Sequence, residues 1–368
     1  MTTETSIILT KKLHEDSDHI FSGNIYLLHA FDIGEDVDLQ KVRKTRNIHT
    51  SSRSWPKHFK HFHTPLSVEL APPQDSHFTK CFRANIHHFG VVSLTYKIPF
   101  KGTLDALQNK INTLNSQYQN QSMDDAEKLF HKIKHCIVQP KSFHHRTSYV
   151  IAHVDPQQEL ISGEQLIEEQ GPIIASALRF EKETISEYQI NEILESTTGY
   201  YEQDLVIIDT ESAFIYDHEA EELLDFFEQT LVQQLELQYF DKLLDRKLDD
   251  VYNQTIQKKS LLTYLPFVGT LYDPLSELSK LKVDVSVITE RLDSSIKLTG
   301  EPYFTKIYNL LVEKLEINSW RQSVEKKLSI IHDVRSIYQS KVNSIREDLL
   351  STLIIILIMI ELLVGILK

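Results

Sequence analysis

Residues 349–367 read LLSTLIIILIMIELLVGIL, and Glu361 is the one residue among them that carries charge. At 1.5 Å rise per residue the run makes a helix about 28 Å long, close to the ~30 Å hydrocarbon core of a bilayer. A helix on the surface of a globular protein keeps one apolar stripe and a polar remainder. This run is apolar on every side. It predicts a single transmembrane helix, against the alternative of a helix sunk into a protein core. Everything upstream has to fold as a body tethered at residue 349.

At 368 residues the chain is long enough for two domains, each with its own core. Charge is unevenly spread. Residues 1–150 hold 19 basic against 14 acidic side chains, residues 151–250 hold 5 against 25, and residues 251–368 hold 15 against 13. A mildly basic, histidine-rich front and a strongly acidic middle predict segments with different surfaces. The acidic stretch 151–250 reads as a solvated helical face or as a docking surface for a basic protein partner. No dense basic patch of the kind that binds nucleic acid is present, so direct nucleic-acid contact is not expected. Cys81 and Cys136 form no CxxC pair and fit a reducing compartment. The first residues show neither a signal-peptide apolar run nor the arginine-rich character of a transit peptide. The expectation is a tail-anchored membrane protein whose bulk stays in the cytoplasm.

The fold class expected is an α+β or α/β N-terminal domain, then a helical bundle and stalk, then the transmembrane helix. The divisions are 1–20, a disordered lead; 21–217, the mixed domain; 218–348, bundle and stalk; and 349–367, the span. Strands are predicted at 24–31, 66–70, 78–86 and 89–98, the last two as a hairpin turning at 87–90, and at 148–154, 205–209 and 213–216. Pro99 and Gly102 are expected to end the hairpin. Between strands, Asp38 offers a cap to a short helix from Leu39, and 41–63 reads as a loop. Thr103 caps a helix to about Tyr118, and 124–137 forms a second. A helix at 163–170 is expected to stop at Gly171-Pro172. Beyond His218 the pattern is helical throughout: 218–257, a turn at 261–269, 274–298, a helix opening at Pro302, and a last one from near Ser319. In that last helix Trp320, Val324, Leu328, Ile331, Val334, Tyr338, Val342, Ile345 and Leu349 recur at steps of three and four, the seam of a coiled coil or bundle. The stripe serves either intramolecular packing or a homo-oligomer. Lys326, Lys327, Lys341 and Arg346 precede the span and Lys368 follows it, which places the body on the cytoplasmic side.

The run from Gly300 to Gly365 resembles the C-terminus of the required-for-meiotic-nuclear-division family, which includes the Sad1-interacting factors. The resemblance rests on Glu301-Pro302, on Lys314-Leu315-Glu316-Ile317, on Arg321, on the heptad-like helix and on Glu361 within the span. Thr352 and Leu353 stand where that family often has Glu-Trp. The resemblance implies a membrane-anchored protein of bacterial type without established catalysis. Mitochondrial members sit on the matrix side of the inner membrane and support organellar translation.

Few residues point to chemistry. His58, His61 and His63 have a spacing that lets imidazoles share a metal ion, but Trp55, Phe59 and Phe62 surround them and equally make a packed loop. The acids Asp217, Glu219, Glu221, Glu222 and Asp225 offer a weaker cation site. No phosphate-binding glycine loop, GxSxG or HExxH occurs, and no cofactor is expected. Glu361 is an ionisable group within a span and so a candidate for contact between spans, with Tyr338, Val342 and Ile345 as its companions in an oligomer. The reading is a membrane scaffold or adaptor. The alternatives are a channel or transporter subunit laid out like CorA-type magnesium transporters, though without their second span or Gly-Met-Asn triplet, and a histidine-dependent metallo-hydrolase.

Overall fold

The computed structural model describes residues 19–46, 48–51, 65–69, 81–141, 143, 145–156, 161–218, 220–256, 283, 285, 286 and 302–367. The expected turn at 261–269, the loop at 52–63 with His58, His61 and His63, and all of the helix expected at 274–298 except residues 283, 285 and 286 lie outside them. The chain divides into two compact units, one of Met1–Glu236 with Leu292–Asn318, the other of Leu237–Arg291 with Ser319–Lys368.

The first unit is built on one sheet of nine strands. In chain order these are β1 (Phe21–Asp32), β2 (His49–Ser51), β3 (Leu66–Glu69), β4 (Cys81–Ile86), β5 (Val91–Gly102), β6 (Arg146–Val154), β7 (Thr197–Thr198), β8 (Leu205–Ile208) and β9 (Ser212–Tyr216). Their order across the sheet is β2-β3-β4-β5-β1-β6-β9-β8-β7. Every pairing is antiparallel except β6 with β9. The expected mixed domain is therefore a single, mostly antiparallel sheet.

Alternation along the strands gives the sheet two different faces. One carries Ile25, Leu27, Phe31, Val92, Leu94, Val150, Ala152 and Phe214, all buried in the main hydrophobic core. It is covered by α2 (Leu104–Ile133), α3 (Gly163–Leu178) and α4 (Glu187–Leu194). A short α1 (Leu39–Arg43) begins at Asp38, whose side chain accepts from the Lys41 amide as the sequence predicts. The other face presents Tyr26, Leu28, Tyr149 and Ile151 beside the polar row Arg83, Asn85, Ser93 and Thr95. Its cover is α5 (Glu221–Ile256), whose Phe227 ring lies 5.4 Å from that of Tyr149. On the outside of α5 rests α6 (Pro302–Lys314), with Phe304 stacked on Phe226 at 5.2 Å and 8°.

Four local expectations are corrected. The strand β5 runs through Pro99 to Gly102. Its pairing with β4 ends at Tyr96, so Pro99 sits where β5 has a neighbour on one side and loses no ladder bond. The two helices expected between 103 and 137 are one, because neither Pro nor Gly lies within residues 104–133 and Ser122 merely bonds the Gln119 carbonyl. Pro172 does not end α3: Ile174, Ala175 and Leu178 beyond it are buried in the core, and that packing outweighs the ~3 kcal/mol local cost of an interior proline. The expected loop 41–63 contains the end of α1 and the edge strand β2.

In the second unit, α5 continues from Leu237 and α7 (Ile317–Ile366) follows α6 after a left-handed turn at Glu316, φ 53°. Leu237, Phe240 and Leu244 of α5 and Val324, Leu328 and Ile331 of α7 are buried. Lys327 fastens the pair, its Nζ 2.7 Å from Asp241 Oδ1 and 2.6 Å from Asp245 Oδ1, while Ser323 Oγ donates to Asp241 at 2.6 Å. The early part of the three-four stripe is thus intramolecular core. Beyond residue 331 burial lapses: Ile337 is exposed, and Val334 and Ile345 are half-buried.

Candidate functional site

Three features outside ordinary packing stand out, and each follows from how local sequence is placed. The first is the end of α7. No residue interrupts the helix between 317 and 366, and residues 350–367 are all exposed. By length and composition this helix is apolar enough to cross a membrane, and none of its apolar window is buried. The alternative of a core helix therefore has no support among the described residues. Glu361 lies within the exposed run.

The second is a buried ionic seam between the polar row of the sheet and α5. Asp225 and Glu228 are three apart and so share one face of the helix. Asp225 pairs with Arg83, and Asn85 Nδ2 donates to Glu228 Oε1 at 2.6 Å. Ser93 Oγ donates to the same oxygen, with His87 Nε2 3.0 Å from Ser93 Oγ and 3.6 Å from Glu228 Oε1. Burial alone pushes the Glu228 carboxyl up. The His87 imidazole, the Arg83 charge and the Ser93 hydroxyl more than reverse this and bring it down to about 2. Ser93, His87 and Glu228 have the composition of a hydrolytic triad but not its order. The serine hydroxyl is committed to the carboxylate rather than to the imidazole, and all three are under 5% exposed. The seam is structural. Cys81, beside it, is pushed up to about 12 by burial and stays a thiol, not a nucleophile.

The third is a cavity of about 680 Å³ in the first unit, at the carboxyl end of β9. Tyr200 and Tyr201 from the turn between β7 and β8 meet edge to face at 4.7 Å and 89°, and Tyr303 of α6 lies 5.4 Å from Tyr200. Asp204, Asp217 and Glu222 supply carboxylates. Burial, then the charge of Asp217, pushes Asp204 up from its ordinary value. The Tyr303 hydroxyl is buried and meets no hydrogen-bond partner among the described residues.

The sequence-level candidates separate in the structure. His58, His61 and His63 are outside the described residues. Among the described residues no group of three or more His, Cys, Asp or Glu side chains is placed to hold a metal ion. The acids at 217–225 are divided: Asp225 enters the seam, Glu221 pairs with Lys97 at 3.2 Å, and Asp217 and Glu222 line the cavity. Within the acidic stretch, Asp209, Asp225, Glu228 and Glu236 are buried rather than surface groups. Ile345 is half-buried, and the Tyr338 and Val342 side chains are outside the described set. Sequence reasoning missed the seam and the cavity. The signal for the seam was the alternation Arg83, Asn85, His87 answered by Ser93, Thr95 and Lys97; the cavity had none, since its tyrosines come from stretches about a hundred residues apart.

Residues 22–222 match the model of the family described as "Uncharacterized protein MJ0711, N-terminal domain". The uncharacterized protein MJ0711 of Methanocaldococcus jannaschii is 26% identical over 211 residues, which are 56% of this chain and 62% of that protein. The chain therefore spans less than two thirds of the relative's length. No solved structure matches. These findings overturn the resemblance to the required-for-meiotic-nuclear-division family, because the relationship lies in the sheet-bearing portion and not in the tail. What that resemblance implied about mitochondria and translation falls with it. The tail motifs misled for a physical reason. A proline in the first helical turn, a three-four seam and an apolar span are what any bundle helix leading into a bilayer requires.

Proposed function

The chain belongs to the family of the uncharacterized protein MJ0711 N-terminal domain, and from that premise we propose that it is a membrane-anchored adaptor. Its α7 crosses a bilayer once and its sheet domain is displayed on the cytoplasmic side. One observation carries this reading: residues 350–367 form a continuous helix whose large aliphatic side chains, among them Ile354, Leu357, Ile360 and Leu363, are each more than half exposed. Burying a Leu or Ile side chain is favourable by about 1.5–3 kcal/mol, so a run of them left in water is a large unmet demand that a hydrocarbon layer meets. The basic residues Lys341 and Arg346 on the domain side favour the cytoplasmic orientation. Glu361, six residues before Leu367 and so about 9 Å from that end, lies within reach of the far headgroups or of a neighbouring span in a homo-oligomer. The adaptor role leaves the exposed acids of 151–250 as the surface for a basic protein partner.

The test is fractionation. Full-length chain and a version ending at Asp348 are expressed in parallel, and membranes are washed at alkaline pH and floated on a density gradient. The full chain is expected to float with lipid and resist the wash, and the shortened chain to remain in the supernatant. Full-length protein released by the wash, or equal behaviour of the two, refutes the anchor. Protease protection of the sheet domain in sealed vesicles reports the orientation.

A further inference from the structure

We propose that the cavity at the carboxyl end of β9 is a binding site for a small aliphatic oligoamine, whose ammonium groups lie against the tyrosine rings and between the carboxylates of Asp204, Asp217 and Glu222. The site lies wholly within the first unit, so it is independent of whether α7 enters a membrane.

The size comes first. About 680 Å³ is in the range of pockets that enclose a whole small molecule and far exceeds what a bare ion needs. The charge comes next. Three carboxylates line the space with the single imidazole of His218, and no lysine or arginine lines it among the described residues. Burial pushes Asp204 up from its ordinary value, and the charge of Asp217 adds to the effect. A positive ligand offsets both contributions, since its charge favours the ionised form of each acid.

The aromatic lining then selects among cations. Tyr200, Tyr201 and Tyr303 come from two separate parts of the chain and are brought to mutual ring distances of 4.7 and 5.4 Å. The negative face of an aromatic ring attracts a cation within about 6 Å, and attracts an alkylammonium more readily than a strongly hydrated metal ion that must shed its water. The absence of a three-ligand metal cluster among the described residues agrees with this. Finally, the Tyr303 hydroxyl oxygen is buried and meets no partner there. A buried hydroxyl without a partner is costly, and an N–H of a protonated primary or secondary amine donates to its oxygen where a quaternary ammonium has no N–H to offer. More than one carboxylate and a cavity of this size fit a ligand with more than one amino group.

The experiment is calorimetric titration of the full chain in detergent micelles with spermidine, at 50 and 500 mM salt. Saturable one-site binding that weakens at the higher salt is expected. Asp204→Asn keeps an oxygen for the Tyr201 amide it now accepts from at 3.2 Å and is expected to weaken binding at least tenfold. Tyr303→Leu is expected to do the same, and Tyr303→Phe to weaken it less than Tyr303→Leu. Glu211→Gln, an exposed acid that does not line the cavity, is expected to change nothing. Amide exchange of β8 and β9 checks that each variant is folded. The proposal is overturned by the lack of saturable binding to the wild type. It is equally overturned by matching losses in Glu211→Gln and Asp204→Asn, by displacement of spermidine with equimolar magnesium, or by binding of a lysine-containing peptide in place of the free amine. Failure here leaves the membrane fractionation result untouched.

Discussion

Glu228→Gln tests whether the sheet and α5 are held together by charge or by packing. In the folded protein the Glu228 carboxyl stands at about 2 against an ordinary 4.5. The difference corresponds to about 3 kcal/mol of preference for the ionised form in the folded state. The folded value lies below the unfolded one, so this stabilisation is complete above about pH 4.5 and is lost as pH falls toward 2. Glutamine keeps the shape and an oxygen for Asn85 and Ser93, but it removes the charge that faces Arg83 at 3.5 Å. The substitution is therefore expected to cost about 3 kcal/mol at pH 7 and less than half of that at pH 3. The assay is hydrogen–deuterium exchange of the β4 and β5 amides in wild type and variant at each pH, since these strands carry the polar row and their opening reports local stability. Comparing variant with wild type at one pH cancels contributions from other groups. One such group is His29, held down to about 4 by burial and by the charge of Arg146. A loss of the same size at both pH values would mean that shape, not charge, fastens the seam. No loss at pH 7 would mean that the carboxylate does not bear on stability at all.

Two further outcomes follow from single positions. Glu236 is pushed well above its ordinary value by burial and then by the charge of Asp32; a raised folded value means stability declines as pH rises past about 4.5, so Glu236→Gln is expected to raise the melting temperature at pH 7 and to give no gain at pH 4. At Gly90, φ is +93° and a Cβ would lie 1.9 Å from the Gly34 carbonyl oxygen; Gly90→Ala combines left-handed strain of about 1–3 kcal/mol with a backbone clash, and chemical denaturation is expected to show a larger loss than for Gly102→Ala, where the nearest atom is the Ala106 Cβ at 3.3 Å.

Much of the strand content was legible because short apolar runs such as NIYLLHAF and SYVIAHV, bounded by turn residues, have the length and the β-branched and aromatic content of buried strands. The caps at Asp38 and Thr103 were legible because each side chain serves an amide three residues on. The single parallel pairing of β6 with β9, and the placing of β1 between β5 and β6, were not. Register across distant strands depends on which faces are later covered, and local pattern does not contain that. The polar row Arg83, Asn85, His87 reads in isolation as the wet side of an antiparallel sheet. It is dry because Asp225 and Glu228 answer it from a helix more than 130 residues away, and those two acids in turn read as part of a solvated face. Pro172 marks a different limit. A breaker rule weighs the local cost, whereas Ile174, Ala175 and Leu178 contribute burial the rule does not see. At the end of α7 the physics is one-dimensional, and both the length and the apolarity of the run were visible in the letters alone.

The family match ends at residue 222, the second residue of α5, yet the sheet is not closed at that point. Asp225, Phe227 and Glu228 all lie beyond it, and without them Arg83, Asn85 and Ser93 face water beside Tyr26, Tyr149 and Ile151, which are otherwise buried. The compact unit accordingly extends to Glu236 and takes in Leu292–Asn318, which includes α6. The helix that completes the sheet then continues past Leu237 and supplies Asp241 and Asp245 to Lys327 of α7. One helix thus answers the buried cation of the sheet with its first turns and, further along, a cation of the helix that carries the apolar run. The family match stops at residue 222, whereas the compact unit runs on to Glu236, about fourteen residues further, and so takes in the acids at 225 and 228 that answer Arg83, Asn85 and Ser93.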